Sequence, residues 1–173
     1  MSGNSPRRLG QGMLFVAALG VLGGLTWFFD GALDRQRNPN QNVSGELVGA
    51  VRQVVLDANR QHHYLATAEI NGEPVEVMVD TGASQVAISA TAAARLGLPR
   101  GQPALVSTAN GTARVESTRI DRIRLGTIEL RDVAGVVVPN MDSPEVLLGM
   151  SFLRELELTQ RDGQLILRQN GSG

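Results

Sequence analysis

The stretch Val77-Met78-Val79-Asp80-Thr81-Gly82-Ala83-Ser84 decides how this chain reads. Val75, Val77 and Val79 recur at the period of a β-strand, and the strand ends on a carboxylate with a hydroxyl beside it and a glycine after it. Asp and Gly behind a strand also make ordinary turns, so two readings stand side by side: a turn, or a carboxylate held out for acid–base chemistry. Hydrolysis by carboxylates needs one ionised group to take a proton from water and one protonated group to donate. Two carboxyls in contact meet that need because they cannot both ionise cheaply. Asp-Thr-Gly occurs once in the chain, so a second Asp80 has to come from a second copy.

Two further motifs favour the chemical reading. Val146-Leu147-Leu148-Gly149 is an apolar run ending in glycine, followed by the helix-like segment from Ser151 to Leu156. Between the two motifs, Ser107-Thr108-Ala109-Asn110-Gly111-Thr112 is a polar hairpin tipped by glycine. Three elements in this order are far more specific than any one.

The rest of the chain reads as short antiparallel strands. Val51–Leu56 and Tyr64–Ile70 are strand-like, and Asn71-Gly72 marks a hairpin into Val75–Val79. Ser89–Leu96 is a short helix with Ser89 as N-cap and Gly97 as stop. Ala104–Ser107, Ala113–Ser117, Ile120–Leu125, Thr127–Leu130 and Val133–Val138 read as separate strands between turns. Leu156–Thr159 and Gln164–Leu167 flank Asp162-Gly163 as a closing pair. The expectation is an all-β, closed-barrel domain with short helices over 46–170.

Ahead of it, residues 9–29 (LGQGMLFVAALGVLGGLTWFF) carry no charge. At ~1.5 Å per residue, such a helix approaches the ~30 Å hydrocarbon core of a bilayer. Arg7 and Arg8 precede it and Trp27, Phe28 and Phe29 sit at its far end, the arrangement of a transmembrane anchor with an inside N-terminus. A cleaved signal peptide is the competing reading, opposed by the length of the run and by the aromatic end. The division expected is a cytoplasmic N-terminus over 1–8, an anchor over 9–29, a flexible linker over 30–45 around Pro39, and the folded domain.

Composition excludes other classes. The formal net charge is -1 and every one of the 16 basic residues is arginine. These are scattered, and aromatics make up 3%, which argues against nucleic acid. There is no cysteine for a disulfide or a thiolate site. His62-His63 would point to opposite faces of a strand and has no partner at ligand spacing, so a solvated turn is expected. Gly20, Gly23 and Gly24 could let two helices approach, but small residues are also incidental in an anchor.

Residues from about Val51 to Gln169 resemble a retropepsin-like single-domain aspartic peptidase, most nearly the bacterial membrane-anchored group. The resemblance rests on VMVDTGAS at 77–84, AARLGL at 93–98, TANG at 108–111 and LLGMSFL at 147–153. It implies a homodimer in which each copy supplies Asp80 as the catalytic residue, supported by Thr81, Gly82 and Ala83. It further implies a flap at Thr108, Ala109, Asn110, Gly111 and Thr112, and a distal strand motif at Leu147, Leu148 and Gly149. The partners implied are a second copy, a protein or peptide substrate and a bacterial inner membrane, with the domain in the periplasm and with no metal or cofactor. Viral relatives commonly carry charged residues where this chain has Ser84 and Met150-Ser151, so their charged dimer network is not expected. Tyr64 lies away from the flap. A module that binds extended peptide in its cleft without cutting is the alternative.

Overall fold

The computed structural model describes residues 5–108, 111–141 and 144–170. The chain divides into two compact units, 1–36 and 37–173. The first is the helix α1 (Ser5–Arg37), 33 residues long. Its apolar side chains Leu19, Leu22, Leu25 and Trp27 are exposed, while the Thr26 hydroxyl is satisfied by donating to the Leu22 carbonyl at 2.8 Å. Residues 9–16 of the expected anchor lie outside the described side chains. Among the described residues no helix is long and apolar enough to cross a membrane.

The second unit is built of two sheets. Strands β1 (Gly45–Val48), β2 (Val51–Asp57), β10 (Glu157–Arg161) and β11 (Gln164–Gln169) form an antiparallel sheet in the order β1-β2-β11-β10. The other sheet runs β3-β4-β9-β5-β8-β7-β6, from β3 (Leu65–Ile70), β4 (Glu73–Val79), β5 (Val86–Ser89), β6 (Pro103–Thr108), β7 (Gly111–Leu125), β8 (Ile128–Val138) and β9 (Val146–Leu148). A further pairing of Glu69 with Arg124 and Ile70 with Ile123 joins β3 to β7. The architecture is thus mostly β with short helices, organised as two sheets where the sequence suggested one closed barrel.

Local chemistry explains the turns. Asn71 and Gly72 (φ 54° and 95°) and Asp162 and Gly163 (φ 52° and 78°) take the left-handed pairs that suit a tight two-residue hairpin. In α2 (Ala90–Arg95) the Ser89 hydroxyl accepts from the Ala92 N–H at 3.1 Å. At its other end Gly97 (φ 62°) lets Gly97 N–H reach the Ala94 carbonyl and Leu98 N–H the Ala93 carbonyl, which satisfies the last carbonyls of the helix.

The strands expected at Ala113–Ser117 and Ile120–Leu125 are one strand of 15 residues, and those at 127–130 and 133–138 are likewise one. The inward residues explain the split appearance. Val115, Ile120, Ile123 and Leu125 are all buried, so the alternation changes phase inside β7. The last change falls opposite Asp132 of β8, which takes a left-handed φ of 56°, and a local break of this kind bends a strand pair. The core between the sheets gathers Leu56, Ile70, Ile88, Leu148, Phe152 and Leu167, all fully buried.

The second unit also begins earlier than the expected 46. Asn38 and Asn40 are buried, and Asn40 pairs with Ala66 as a parallel bridge. Pro39 with its Asn neighbours looked like linker composition, but these side chains are used as hydrogen-bonding groups inside the domain.

Candidate active site

Asp80 stands at the end of β4, and β9 fixes where that end lies. β9 pairs parallel with β4 (Val79 opposite Leu148) and antiparallel with β5 (Ala87 opposite Leu147). It therefore lies between the strand that enters the Asp80 loop and the strand that leaves it. Asp80 N–H donates to the Leu148 carbonyl at 3.1 Å, and Val79 N–H to the Tyr64 carbonyl at 3.0 Å. Within the loop, Gly82 N–H donates to Asp80 Oδ1 at 2.9 Å.

The loop is closed from below by the turn into α3 (Met150–Leu153). Met150 N–H donates to the Ala83 carbonyl at 2.7 Å and Ser151 N–H to the Ser84 carbonyl at 3.1 Å. The Ser151 hydroxyl donates to the Ala134 carbonyl at 2.7 Å and accepts from Val86 N–H at 3.0 Å. One hydroxyl thus ties the first residue of β5, α3 and β8 together. Gly149 explains why the apolar run must end in glycine. A β-carbon there would lie 2.2 Å from the Gln85 carbonyl oxygen and 2.6 Å from that of Ala83, well inside van der Waals contact.

Alternation on β9 gives Leu147 a separate role. Val146 and Leu148 face the main core, whereas Leu147 packs against a second apolar cluster of Ala87, Val115 and Val136 with Val106 and Ala113. Val106 belongs to β6 and Ala113 and Val115 to β7, so this cluster ties one face of the β6–β7 hairpin, from Val115 out to the Val106–Ala113 pair, to β9 beneath Asp80. The hairpin pairs from Pro103 opposite Glu116 to Thr108 opposite Gly111. Ala109 and Asn110, expected at its tip, lie outside the described residues. Gly111 has φ 106°, open to glycine and costly for other residues. Thr112 is exposed.

Asp80 and Ala83 are half-buried, Thr81 and Gly82 exposed, and Leu148 and Gly149 buried. Among the described residues the ion pairs lie elsewhere, as in Arg37–Glu76, Arg95–Glu145 and Arg100–Glu116, and none includes Asp80. Asp80 is thus a half-buried carboxylate with no ion pair among the described residues, followed by the exposed Thr81 and Gly82. His62 and His63 are both exposed, His62 with a left-handed φ of 61°. Ser151 is the residue that the sequence undervalued. Its position after the distal glycine stood out only as a departure, since the pattern does not reveal that a serine there reaches three elements.

Comparison with known proteins agrees with this geometry. The family described as "gag-polyprotein putative aspartyl protease" matches residues 66–155, more than half of the chain and inclusive of all three motifs. The chain is 36% identical over 124 residues to "Uncharacterized protein in cobV 5'region" of Sinorhizobium sp, covering 68% of this chain and 52% of that one. It is 28% identical over 121 residues to "Uncharacterized protein RP867" of Rickettsia prowazekii (strain Madrid E), covering 68% and 51%. The chain spans about half the length of these curated relatives. Among solved structures, a retropepsin-like aspartic protease from Rickettsia conorii superposes with TM-score 0.57 at 25% identity, over 74% of this chain and 96% of that one.

Proposed function

Because the chain belongs to the family of gag-polyprotein aspartyl proteases and has the retropepsin-like fold, we propose that it is an aspartic endopeptidase, active as a homodimer on envelope or periplasmic proteins. The observation that carries the reading is the Asp80 loop itself: a single carboxylate at a strand end, clamped from behind by residues 148–151 and unpaired with any cation among the described residues.

In the dimer, Asp80 of each copy faces the other and the pair shares one proton. The ionised Asp80 takes a proton from water as its oxygen attacks the substrate carbonyl carbon. The protonated Asp80 gives its proton to the carbonyl oxygen, leaving a tetrahedral diol. Collapse of the diol breaks the C–N bond: one carboxyl of the pair protonates the departing amine while the other takes the proton of a diol hydroxyl, which leaves a carboxylic acid and restores the shared proton. Gly82 N–H steadies the ionised oxygen, and the hairpin of β6 and β7 closes over the bound chain. The anchor belongs to the same proposal: residues 9–29 hold the protein in a bacterial inner membrane with the domain outside the cytoplasm, supported by the uncharged run and by exposed Leu19, Leu22 and Trp27. A periplasm-dependent phosphatase fused after Ser44 should be active, and an inactive fusion reverses the orientation.

The decisive test compares wild type with Asp80→Asn in cleaving an envelope protein extract from about pH 4 to 7.5, where the profile of a coupled carboxylate pair belongs to the pair and not to either residue. Wild type should cut, with a bell-shaped pH profile and a specific activity that rises with concentration until the dimer is saturated. Asp80→Asn should be folded and inactive. Equal cleavage by both removes Asp80 from catalysis, and cleavage by neither favours a module that binds peptide without cutting.

A further inference from the structure

The segment joining α1 to β1 carries a group of buried asparagines that the site just described does not use. Asn38, Asn40 and Asn59 are each more than nine-tenths buried. Asn40 uses its whole polar complement. Its Nδ2 donates to the Asp57 carbonyl at 2.9 Å and to the Leu65 carbonyl at 2.6 Å, and its Oδ1 accepts from Asp57 N–H at 2.8 Å. Its own N–H donates to Asn38 Oδ1 at 3.0 Å, and its carbonyl accepts from Thr67 N–H at 3.0 Å. Asn59 completes the group: its Nδ2 donates to the Arg37 carbonyl at 3.1 Å, while its Oδ1 accepts from the N–H groups of Gln61 and His63.

The positions of these partners give the arrangement its meaning. Asp57 is the last residue of β2 and Leu65 the first of β3, so one asparagine side chain pins the two sheets together where the chain crosses between them. From there the path to Asp80 is short and continuous. Leu65 pairs with Met78, the Tyr64 carbonyl accepts from Val79 N–H, and Asp80 follows. A buried side chain with all its groups paired is rigid, and each bond removed leaves an unsatisfied partner in the interior.

We propose that Asn40 is a positioning residue for Asp80: the strap 37–40 pins the start of β3, and β3 sets where β4 delivers the carboxylate. Resting on the peptidase reading above, this makes the strap part of the catalytic machinery rather than a tether between the helix and the domain. The geometry between two shared carboxyls and a water is demanding, and small misplacements of reacting groups are costly.

The test uses the full chain in mild detergent, with Asn40→Ala, the gentler Asn38→Ala and wild type side by side. The substrate is a fluorogenic peptide selected from a library by wild-type cleavage. At a temperature where each protein is folded, Asn40→Ala should lower kcat about tenfold with KM within about twofold. Backbone hydrogen exchange should speed up at Thr67 and Val79 and stay unchanged in the β5–β8 ladder. Asn38→Ala, which removes the acceptor for Asn40 N–H, should move both readouts the same way by less, and it decides the matter if Asn40→Ala does not fold. Wild-type kcat with wild-type exchange at Val79 overturns the proposal. So does a uniform loss of protection with unchanged kcat per folded molecule, which is the signature of a merely structural role. If wild type cuts no peptide, the peptidase reading fails by itself, and exchange at Val79 still decides whether the strap holds the Asp80 strand.

Discussion

The Asp80 loop and the β6–β7 hairpin, the two halves of the proposed site, are held by opposite means. The loop is fixed by backbone groups belonging to distant parts of the chain: Leu148, Met150 and Ser151 each bond to it directly. The hairpin is held by its own ladder and, on one face only, by the small cluster of Val115, Val106, Ala113 and Leu147; on the other face Leu105 is 71% exposed. Opening of a segment costs about as much as the buried contacts and bonds it gives up. The loop therefore opens only with the domain, while the hairpin has a cheaper motion of its own. For the proposed peptidase, a fixed carboxylate with a movable hairpin would suit entry and exit of a polymeric substrate.

The strongest way to break this contrast is Gly149→Ala. The new β-carbon would meet two backbone carbonyls, neither of which can swing aside as a side chain would. We expect a loss of about 3 kcal/mol in urea unfolding, together with loss of activity. A cost below about 0.5 kcal/mol would mean that the clamp yields easily. Ser151→Ala comes next. It strands Val86 N–H and the Ala134 carbonyl, which should cost about 2 kcal/mol, with Ser151→Thr retaining part of the loss.

Val115→Ala probes the other half. Removing two methyl groups from the hairpin's root should cost about 1.5 kcal/mol and speed hydrogen exchange in β6, with the amides of Asp80 and Met150 still protected. Equal acceleration at both places would make the site one unit and erase the contrast. The smallest effect belongs to the pair Arg119–Asp132 on β7 and β8, beside the bend. The hydrogen bond from Arg119 holds the Asp132 carboxyl below its ordinary range. A depressed folded value stabilises the fold above the unfolded value of about 3.9 and is lost as pH falls through the folded one. Asp132→Asn should thus leave acid unfolding slightly displaced, with its stability curve meeting that of wild type at the lowest pH. Both groups are exposed, so the displacement should also shrink in salt.

How much of this was legible in the sequence depended on whether the deciding physics was local. The Asp80 strand end, the Ser89 cap, the Asn71-Gly72 and Asp162-Gly163 hairpins and the glycine at 149 are each set by a few neighbouring residues, and all were readable. The 15-residue β7 was not, because its alternation changes phase with the bend at Asp132 and a simple period-two pattern breaks there. The short β5 escaped notice because its four residues are all buried, giving a continuous apolar run in place of an alternation. Asn38 and Asn40 were read as linker because composition cannot say whether an amide faces water or a carbonyl across the fold. Ser151 was hidden for the same reason: Val86 and Ala134 are remote in sequence.

The parallel pairing of β4 with β9 also orders events in time. Asp80 N–H finds its acceptor on Leu148, and the Ala83 and Ser84 carbonyls find their donors on Met150 and Ser151, none of which exists while a ribosome is still making the first half of the domain. β2 can pair early with β1, but its other edge waits longer still, for β11. Contacts so distant along the chain form slowly because a long loop must close before any bond rewards it. A nascent chain that already carries Asp-Thr-Gly therefore lacks the shaped loop until residues 146–151 have emerged, so that on the proposed reading the half-made protein has no cutting edge beside its own unfolded strands.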